Sequence, residues 1–474
     1  MKSAMWAKEK IAASIILSAS IVGGGMGIMF TSAFAQNKPG ATSATVVTYP
    51  RPQGIPASDK YAVRVNGRDS FTYKSDSQRG DGPRSASWTT FAFSKGAVSV
   101  EVTNLSGPVN SVVIRPRSFG IVPKVDGNRV MFDLAQSRKV FVEINGGYKD
   151  LLFIFGDAPE VNPPNPGDPD VIYFGPGVHD IGANYAVPDG KTLYIAGGAV
   201  VYGTIRRLDR PKNVTICGRG ILSGRRFPHV EGPGAITFQG ALQTTVKDIT
   251  VIESPGFCVS GANTFSNLKI IGWYVNTDGI QLMRPKSTAD DCFIFNHDDG
   301  ILLAWADGAR VSNCVIYCTW SSAFQVSWNV YTDFGGIVVR NCDVIHCDPG
   351  WSIFSMQHGG KARISDLLFE HIRIENPGDQ STRLIDFKLE KNAYAKDEGL
   401  GNLSGVRFKD IDMDVPTGMN RLLGMDAEHR ITDITFENFK VKGKVVRSAQ
   451  EMGLEVNPFV SGIHFMATNT PPGK

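Results

Sequence analysis

A short motif that recurs nine times after residue 210 is the feature that most constrains the fold of this chain. Each copy has a polar residue, an apolar residue, any residue and a second apolar residue. The polar residues are Asn213, Asp248, Asn267, Asp291, Asn313, Asn341, His371, Asp410 and Asn438. The first apolar residues are Val214, Ile249, Leu268, Cys292, Cys314, Cys342, Ile372, Ile411 and Phe439, and the second are Ile216, Val251, Ile270, Ile294, Ile316, Val344, Ile374, Met413 and Val441. Copies at this spacing, roughly 20–40 residues, predict a right-handed parallel β-helix, in which each coil buries its apolar residues against the next.

The segments between the copies favour strands and turns over helices. Gly is abundant, at 51 of 474 residues, and Val, Ile, Phe and Thr dominate the apolar stretches, as in all-β proteins. A TIM barrel is disfavoured because the connecting segments lack helical periodicity. The net charge of +3 gives no argument for a nucleic-acid partner, and we expect none.

The first 35 residues have the pattern of a signal peptide. A basic start, with Lys2, Lys8 and Lys10, precedes an apolar stretch over 11–30, and Ala33-Phe34-Ala35 then supplies a cleavage signal. The apolar stretch is long enough for a retained anchor, but its glycines and the cleavage signal favour removal. We therefore expect a secreted or periplasmic protein, off the membrane after cleavage.

The remainder divides by pattern into five segments. Residues 36–45 form a flexible lead, and 46–158 carry short alternating strands separated by turn signals, which predict an antiparallel β-sandwich independent of the coils. A Pro-rich linker follows at 159–170, then the β-helix at 171–445 and a tail at 446–474 that packs on or beyond the last coil.

The chain has seven cysteines, an odd number that leaves at least one without a partner inside the chain. An exported protein commonly forms disulfides. However, Cys292, Cys314 and Cys342 occupy one motif position, which indicates a stack of buried thiols acting as small hydrophobes. Disulfides between them remain an alternative.

Two short stretches carry the candidate chemistry. Asn276-Thr277-Asp278-Gly279-Ile280 and His297-Asp298-Asp299-Gly300-Ile301 both end in Asp-Gly-Ile, and Asp278 and Asp299 are 21 residues apart. On neighbouring coils these residues would stack at roughly 4.8 Å, with Asp298 beside them. An Asp-Gly pair alone is ordinary turn chemistry, but three close acids cannot all be comfortably ionised, and such an arrangement suits glycosidic bond hydrolysis.

A second apolar column supports this register. It runs through Phe257, Ile280, Ile301, Phe324 and Ile353, and the residues two positions earlier are Pro255, Asp278, Asp299, Ser322 and Trp351. Because the neighbours of the two aspartates are not acids, the acidic group is local. The column therefore favours catalysis over a general acidic stripe.

Aromatic and hydrogen-bonding residues crowd the same region. Tryptophans fall at 273, 305, 320, 328 and 351. Sugars present an apolar face and a rim of hydroxyls, which aromatic rings and amides suit, although most tryptophans in proteins are core. The predicted substrate-binding residues are Asn276, Gln281, His297, Trp305, Trp320, Gln325, Gln357 and His358. His358 precedes Gly359-Gly360 and fits an ordinary turn equally well.

These stretches give the chain a family resemblance. Residues 173–179 and 193–200 look like the start of the β-helix in exported polysaccharide hydrolases. Together with the sandwich and the three aspartates, the chain resembles glycoside hydrolase family 49, the dextranases and isopullulanases. The polygalacturonases also have Asn-Thr-Asp and Asp-Asp, followed by Gly-His-Gly and Arg-Ile-Lys. Here Ser322 stands at the position of that His, and no Arg-Ile-Lys follows.

The resemblance implies an inverting hydrolase of α-glucosidic bonds in a neutral glucan. It assigns Asp298 as the general acid and Asp278 and Asp299 as the pair that holds and deprotonates water. It implies no metal or cofactor, and a polysaccharide or oligosaccharide partner. We also expect a monomer.

Three alternatives stay open at this stage. The first is a polygalacturonase-like hydrolase of an acidic glycan, and the second is a non-catalytic β-helix that binds glycan. The third is a pectate-type lyase, for which Arg284 and Lys286 are the nearby basic candidates.

Overall fold

The structure is a computed structural model that describes residues 44–76, 85–147, 150–230, 232–272, 274–347, 352–375, 382–396, 398–414 and 418–467. The predicted signal peptide at 1–35, nearly all of the predicted lead, Trp273 and Trp351 lie outside these residues. The described part of the chain contains no helix with the length and apolarity that a membrane span requires.

Two facing sheets form the N-terminal sandwich. One contains Val46–Thr48, Tyr73–Asp76, Ser85–Phe93, Val112–Arg115, Arg138–Ile144 and Asp150–Asp157, and the other contains Tyr61–Val65, Arg68–Ser70, Val98–Asn104, Lys124–Asp126 and Arg129–Leu134. A short 3-10 helix, Arg117–Phe119, follows the fourth strand of the first sheet. The prediction of an antiparallel sandwich needs one correction, because Asp150–Asp157 pairs in parallel with Ser85–Phe93.

The rest of the chain is a parallel β-helix whose coils contribute to three ladders of parallel strands. The first ladder contains Val171–Phe174, Thr192–Ile195, Thr215–Gly218, Thr245–Lys247, Thr264–Ser266, Thr288–Asp290, Arg310–Ser312, Phe334–Arg340, Ile364–Glu370, Leu403–Lys409, Ile431–Glu437 and Val460–Met466. The second contains Ile221–Ser223, Thr250–Ile252, Lys269–Gly272, Phe293–Asn296, Val315–Cys318, Asp343–Cys347, Arg373–Ile374, Asp412–Met413 and Lys440–Val441. The third contains Pro233–Phe238, Phe257–Ser260, Ile280–Gln281, Ile301–Leu302, Phe324–Gln325, Ser352–His358, Arg383–Leu389, Asn420–Leu423 and Leu454–Val456. The predicted all-β fold, a right-handed parallel β-helix preceded by a sandwich, is confirmed.

A few elements lie outside this regular pattern. The long strands Gly177–Tyr185 and Ala199–Arg207 pair with each other, and Ala199–Arg207 serves both the second and the third ladder. Lys444–Val445 pairs antiparallel with the last strand of the second ladder, and one short helix spans Ala449–Met452. Two further ladder strands follow that helix, so the coils run past residue 445, where the sequence predicted their end.

The polar residue of the recurring motif has a conformational role. All nine have φ between 49° and 69°, the left-handed region in which Asn and Asp are strongly enriched among non-glycine residues. Their side chains also bond from coil to coil: Nδ2 of Asn267 donates to Oδ1 of Asp248 at 2.8 Å, and Nδ2 of Asn341 donates to Oδ1 of Asn313 at 2.6 Å. From Asp248 onward, this residue forms the corner between the first and second ladders.

One copy of the motif is out of register. Val251 pairs with Ile270 in the second ladder, but its partner on the preceding coil is Leu222. Ile216 lies in the first ladder, opposite Val246. The motif occurs at more than one left-handed corner, so the pattern alone assigned Asn213-Val214 to the wrong one.

The three cysteines of the motif stack in the interior. Cys292, Cys314 and Cys342 are buried, and each thiol approaches a backbone carbonyl two residues earlier at 3.2–3.3 Å. All seven cysteines of the chain are free thiols. The structure therefore shows the stack of small buried groups, which was the first of the two interpretations.

The sandwich packs tightly on the second ladder. Phe153 of the sandwich lies 5.1 Å from the ring centroids of both Phe293 and Phe295, and Phe141 lies 5.3 Å from that of Tyr317. These residues belong to one buried cluster that spans both parts. The six-stranded sheet of the sandwich thus covers the outer face of the second ladder, and the expectation that the coils hold the three aspartates without the sandwich stays a prediction.

A buried ion pair crosses the same contact. Nζ of Lys269 donates to Oδ2 of Asp157 at 2.9 Å, and both side chains are 1% exposed. Burial alone would raise the pKa of Asp157, but Lys269 and Arg219 lower it overall. The carboxylate thus depends on cations that the β-helix supplies.

We expect Lys269→Met to lower the free energy of unfolding by about 3–5 kcal/mol, because it leaves the Asp157 carboxylate buried with only the more distant cations Arg219 and Lys139 nearby. Urea denaturation measures this change. The double variant Lys269→Met/Asp157→Leu should recover most of the loss, since it removes both charges. As a matched control, Lys191→Met breaks the more exposed pair with Asp170 and should cost about 0–1 kcal/mol. Equal losses in the two single variants would contradict the prediction.

Candidate active site

The three aspartates lie at one corner of two adjacent coils. Both turns connect a second-ladder strand to a third-ladder strand, and Ile280 pairs with Ile301 in the third ladder. The N–H of Gly279 donates to the carbonyl of Asp299 at 2.8 Å. Asp278 and Asp299 are therefore in register on neighbouring coils, as the 21-residue spacing predicted, with Asp298 beside them.

The register of the outer coils differs from the prediction. Val259 pairs with Ile280, and Phe354 pairs with Phe324, so these residues replace Phe257 and Ile353 in the second apolar column. The register is shifted by two residues at Val259 and by one residue at Phe354, and the sequence pattern does not reveal these shifts. Ser322 keeps its predicted position next to Asp299, because the N–H of Gly300 donates to its carbonyl at 2.7 Å.

The glycines after Asp278 and Asp299 are required by close packing. A Cβ atom on Gly279 would lie 2.5 Å from the carbonyl oxygen of Gly300 and 2.5 Å from Cγ2 of Ile294. A Cβ atom on Gly300 would lie 2.8 Å from the carbonyl oxygen of Ala323. Neither glycine has a positive φ. The Asp-Gly pairs thus allow the coils to approach each other at the site.

Two buried polar residues hold the turns together. Nδ2 of Asn296 donates to the carbonyls of Asp298 at 2.5 Å, Asp299 at 3.0 Å and Thr277 at 3.2 Å. Oγ1 of Thr277 donates within its own turn to the carbonyls of Gly272 and Tyr274, and it accepts the N–H of His297 at 3.3 Å. These bonds join the two coils that carry the acids.

The carboxyl groups have different hydrogen-bond partners. Asp299 accepts at both oxygens, from Oγ of Ser321 at 2.7 Å and from Nε1 of Trp328 at 3.1 Å. Asp278 accepts at Oδ2 from Nε2 of Gln281 at 2.6 Å. Asp298 accepts at Oδ1 from the N–H of Asp299 at 2.9 Å. Asp299 therefore has the most complete set of side-chain donors.

All three carboxyl groups have raised pKa values, and the contributions of burial, neighbouring carboxyls and hydrogen bonds differ among them. Burial, and then the Asp299 carboxyl, raise the pKa of Asp298 to about 7. Burial and the neighbouring Asp299 and Asp298 raise the pKa of Asp278 well above its usual range. Burial raises the pKa of Asp299, while the bonds from Ser321 and Trp328 oppose that increase. Groups this close share protons, and Asp299 is the member best prepared to carry charge.

Four of the predicted substrate-binding residues lie near the acids and differ in exposure. The Trp320 side chain is 48% exposed, and its ring centroid lies 5.9 Å from that of His297. Asn276 is half-buried at φ 56° in the turn that leads to Asp278. His297 is buried, and its Nδ1 bonds Oγ1 of Thr319 at 2.9 Å. Gln281 is buried against Asp278. Of this set, Trp320 is the best placed to contact a sugar.

Other members of the predicted set lie beneath the surface. His358 is fully buried, with Nδ1 bonded to Ser327 at 2.9 Å and Nε2 bonded to the Ala362 carbonyl at 3.0 Å. Burial lowers the pKa of this histidine to about 4. Because both nitrogens are occupied, the prediction that His358 binds substrate is wrong, and the residue is the last of the strand Ser352–His358.

The predictions that Gln325 and Gln357 bind substrate are wrong for the same reason. Gln325 and Gln357 are fully buried, and Nε2 of Gln325 donates to the Ser327 carbonyl at 2.8 Å. Trp305 is half-buried and packs on the apolar core of the coils, and its contact with substrate stays a prediction. Nδ2 of Asn392, from a later segment, donates to the Gln357 carbonyl at 2.6 Å, a contact that the pattern of a single strand does not reveal.

Sequence reasoning did not select Asn296, Ser321 or Trp328. Trp328 belongs to the aromatic group that the sequence marks, yet its spacing to Asp299 carries no signal. Asn296 and Ser321 each lie within three residues of a motif already singled out. These residues contact groups on neighbouring coils, and such contacts depend on the direction of each side chain, which the sequence does not reveal.

A group of potential metal ligands lies away from the three aspartates. Ligand atoms of Glu370, His371 and Asp410 lie within 4.8 Å of one another. These residues are half-buried or exposed at the corner between the first and second ladders, and Lys409 already contacts Glu370 at 2.7 Å. Such groups commonly occur without a metal.

Comparisons with known proteins agree with this architecture. A family model described as a right handed beta helix region matches residues 234–384. The dextranase of Arthrobacter globiformis is 26% identical over 349 residues, which are 60% of this chain and 54% of the dextranase. The polygalacturonase of Nicotiana tabacum is 26% identical over 193 residues, 36% of this chain and 48% of that protein. An exopolygalacturonase structure from Yersinia enterocolitica aligns with 91% of this chain and 97% of its own at 10% identity and a TM-score of 0.42.

Fold and site thus define a parallel β-helix with a carboxylate cluster at one corner. Within that class, the chain is similar in sequence to dextranases and, over a shorter range, to a polygalacturonase. The resemblance predicted from the three aspartates is confirmed. The chain spans about half the length of the curated relatives that it matches.

Proposed function

We propose that the protein is an exported glycoside hydrolase that cleaves α-glucosidic bonds of a neutral, dextran- or pullulan-like glucan with inversion. The observation that carries the proposal is the buried group of three carboxyls on adjacent coils. Similarity to dextranases over 60% of the chain supports the substrate class. The signal-peptide pattern at 1–35 supports export.

Each carboxyl has a role that fits its surroundings. Asp298 is the general acid, because a carboxyl with a pKa of about 7 retains a proton to give to the leaving oxygen near neutral pH. Asp299 and Asp278 hold the attacking water between adjacent coils. Asp299 accepts its proton, since two donors stabilise the negative charge of this residue. The sugar leaves with inverted configuration when water attacks the face opposite the leaving group.

The surroundings of the acids favour a neutral over an acidic glycan. Ser322 is in register with Asp299 on the next coil, and the paired third-ladder residues beside the acids are Gln281, Leu302, Gln325 and Ser355, all of them buried. None of these is a cation that could pair with a uronate. The Arg-Ile sequence at 373–374 is followed by Glu375, which binds Arg115 of the sandwich at 2.7 Å.

A product assay on a panel of polysaccharides tests the proposal. Dextran, pullulan and polygalacturonate are each incubated with the protein and scored for new reducing ends and for ultraviolet-absorbing products. Reducing ends from the neutral glucans alone support the proposal. Cleavage of polygalacturonate alone would favour the acidic-glycan alternative, and an ultraviolet-absorbing product would indicate a lyase.

Activity should fall as the pH rises through about 7. Asp298 must be protonated to act as the general acid, and its pKa of about 7 sets the pH at which that proton is lost. We expect kcat/KM to decrease roughly tenfold per pH unit above this value. The check is a pH profile on the glucan identified by the panel. A profile that stays flat to pH 9 would contradict the assignment of Asp298.

A further inference from the structure

The indole of Trp328 touches the acid group from outside the two turns that carry it. Trp328 follows the third-ladder strand Phe324–Gln325 by three residues, on the coil after Asp299. Its Nε1–H donates to Oδ2 of Asp299 at 3.1 Å, while Oγ of Ser321 donates to Oδ1 at 2.7 Å. Both oxygens of this carboxylate are therefore held, each by a neutral donor.

A surface segment holds Trp328 in that position. Nδ2 of Asn392 donates to the carbonyls of Trp328 at 2.8 Å and Gln357 at 2.6 Å. The ring of Tyr394 meets the Trp328 ring edge-on, with 5.6 Å between centroids, and Nδ2 of Asn329 donates to the Tyr394 carbonyl at 2.9 Å. The segment therefore fixes both the backbone and the ring plane of Trp328.

We propose that Trp328 is a positioning residue that fixes the direction and the charge of the Asp299 carboxylate, and that Asn392 and Tyr394 hold it there. The proposal rests on the proposed function for the role of Asp299. A hydrogen bond to a carboxylate favours its ionised form, and it also fixes which lone pair faces the water. Loss of the indole N–H removes both effects while the apolar ring can remain.

Two other carboxyls and one thiol lie around Asp299. Asp278 and Asp298 face it from the preceding coil and from its own turn, and the carboxyls affect one another's titration. Cys318 lies beneath the site, where its thiol donates to the Asp298 carbonyl at 3.0 Å. Burial raises the pKa of that thiol well above its usual range, so it stays neutral. The two neutral donors therefore act against burial, which raises the pKa of Asp299.

The test is a pH profile of kcat/KM for Trp328→Phe, which keeps an aromatic ring and removes the donor. We expect the acid limb to move upward by about one pH unit, with kcat/KM about tenfold lower on that limb and changed much less near the optimum. Ser321→Ala should move the limb in the same direction, and Asn392→Ala should do so to a smaller extent. Trp88→Phe is the matched control, since it also removes an indole N–H, which donates to Oγ of Ser75 at 3.1 Å within the sandwich, and its profile should match the wild type.

Two outcomes would overturn the proposal. One is an unmoved acid limb in Trp328→Phe, and the other is an equal loss at every pH, which indicates packing alone. If Trp328→Phe does not fold, the pH profiles of Ser321→Ala and Asn392→Ala test the proposal, and an unmoved acid limb in both would overturn it. Infrared titration of the carboxyl groups, with Asp299→Asn to assign the band, measures the same shift without turnover. A wild type inactive on every glycan together with a shifted band would therefore reject the proposed function and keep this inference.

Discussion

Asp298→Asn should reduce turnover of the natural glucan by about 10²–10⁴-fold, the usual contribution of a general acid. The substitution removes the proton donor and keeps nearly the same shape. An amide oxygen can still accept the N–H of Asp299, which the carboxyl accepts at 2.9 Å, so the turn should persist. Steady-state kinetics on the glucan identified by the panel measure the loss.

An activated aryl glycoside separates the loss of acid catalysis from a damaged site. Its leaving group needs no protonation, so Asp298→Asn should lose much less activity on this substrate than on the glucan. Asp307→Asn is a matched control, because Asp307 lies exposed on the same coil beyond the third ladder, and its activity should stay near wild type. Equal losses on both substrates would contradict the role of Asp298.

Asp299→Asn and Asp278→Asn should slow both substrate types by about 10²–10⁴-fold, because water must be activated whatever the leaving group. Asp299→Asn should have the larger effect. This residue is the better-stabilised base, with donors at both oxygens, whereas Asp278 has one side-chain donor. Kinetics on the glucan and on the aryl glycoside, measured in parallel, distinguish this pattern from that of Asp298→Asn.

The stereochemistry of the product provides an independent check on the water-activating pair. Nuclear magnetic resonance before mutarotation should show inverted configuration in the wild type. Retention would mean that one aspartate is a nucleophile, and the roles of Asp278 and Asp299 would have to be abandoned. Near-wild-type activity in all three variants would mean that the carboxyls are not the catalytic groups. A wild type that binds glycan and cleaves none would favour a non-catalytic β-helix.

The parts of the fold that depend on local conformation were predictable. The coils could be predicted from Asn267, Asn313 and Asn341, because Asn adopts the left-handed conformation of a corner with little strain. This preference depends on the residue type at a single position. The pairing of Asp278 with Asp299 was predictable for a related reason. Two Asp-Gly-Ile stretches one coil apart leave few registers that keep Ile280 and Ile301 in the interior.

Contacts made across coils and between domains were not predictable in the same way. Asn213 satisfies the same local preference as the others, yet it lies at a different corner, because one coil contains several turns. The fit of Phe153 against Phe293 and Phe295 joins segments about 140 residues apart. The pattern of alternating strands predicts a sandwich. It does not indicate which face of the β-helix the sandwich covers.

The sequence by itself determined the coiled architecture, the register of the two acidic turns and the identity of the three carboxyls. Those features follow from residue type and spacing along one strand or turn. Only the tertiary structure decided which polar groups reach the acids and which are covered. Trp328 reaches Asp299 because the Asn392–Tyr394 segment holds it, while His358 is closed off by bonds to Ser327 and Ala362. Hydrogen bonding between distant segments depends on the direction of each side chain, and that direction is set by packing rather than by sequence distance.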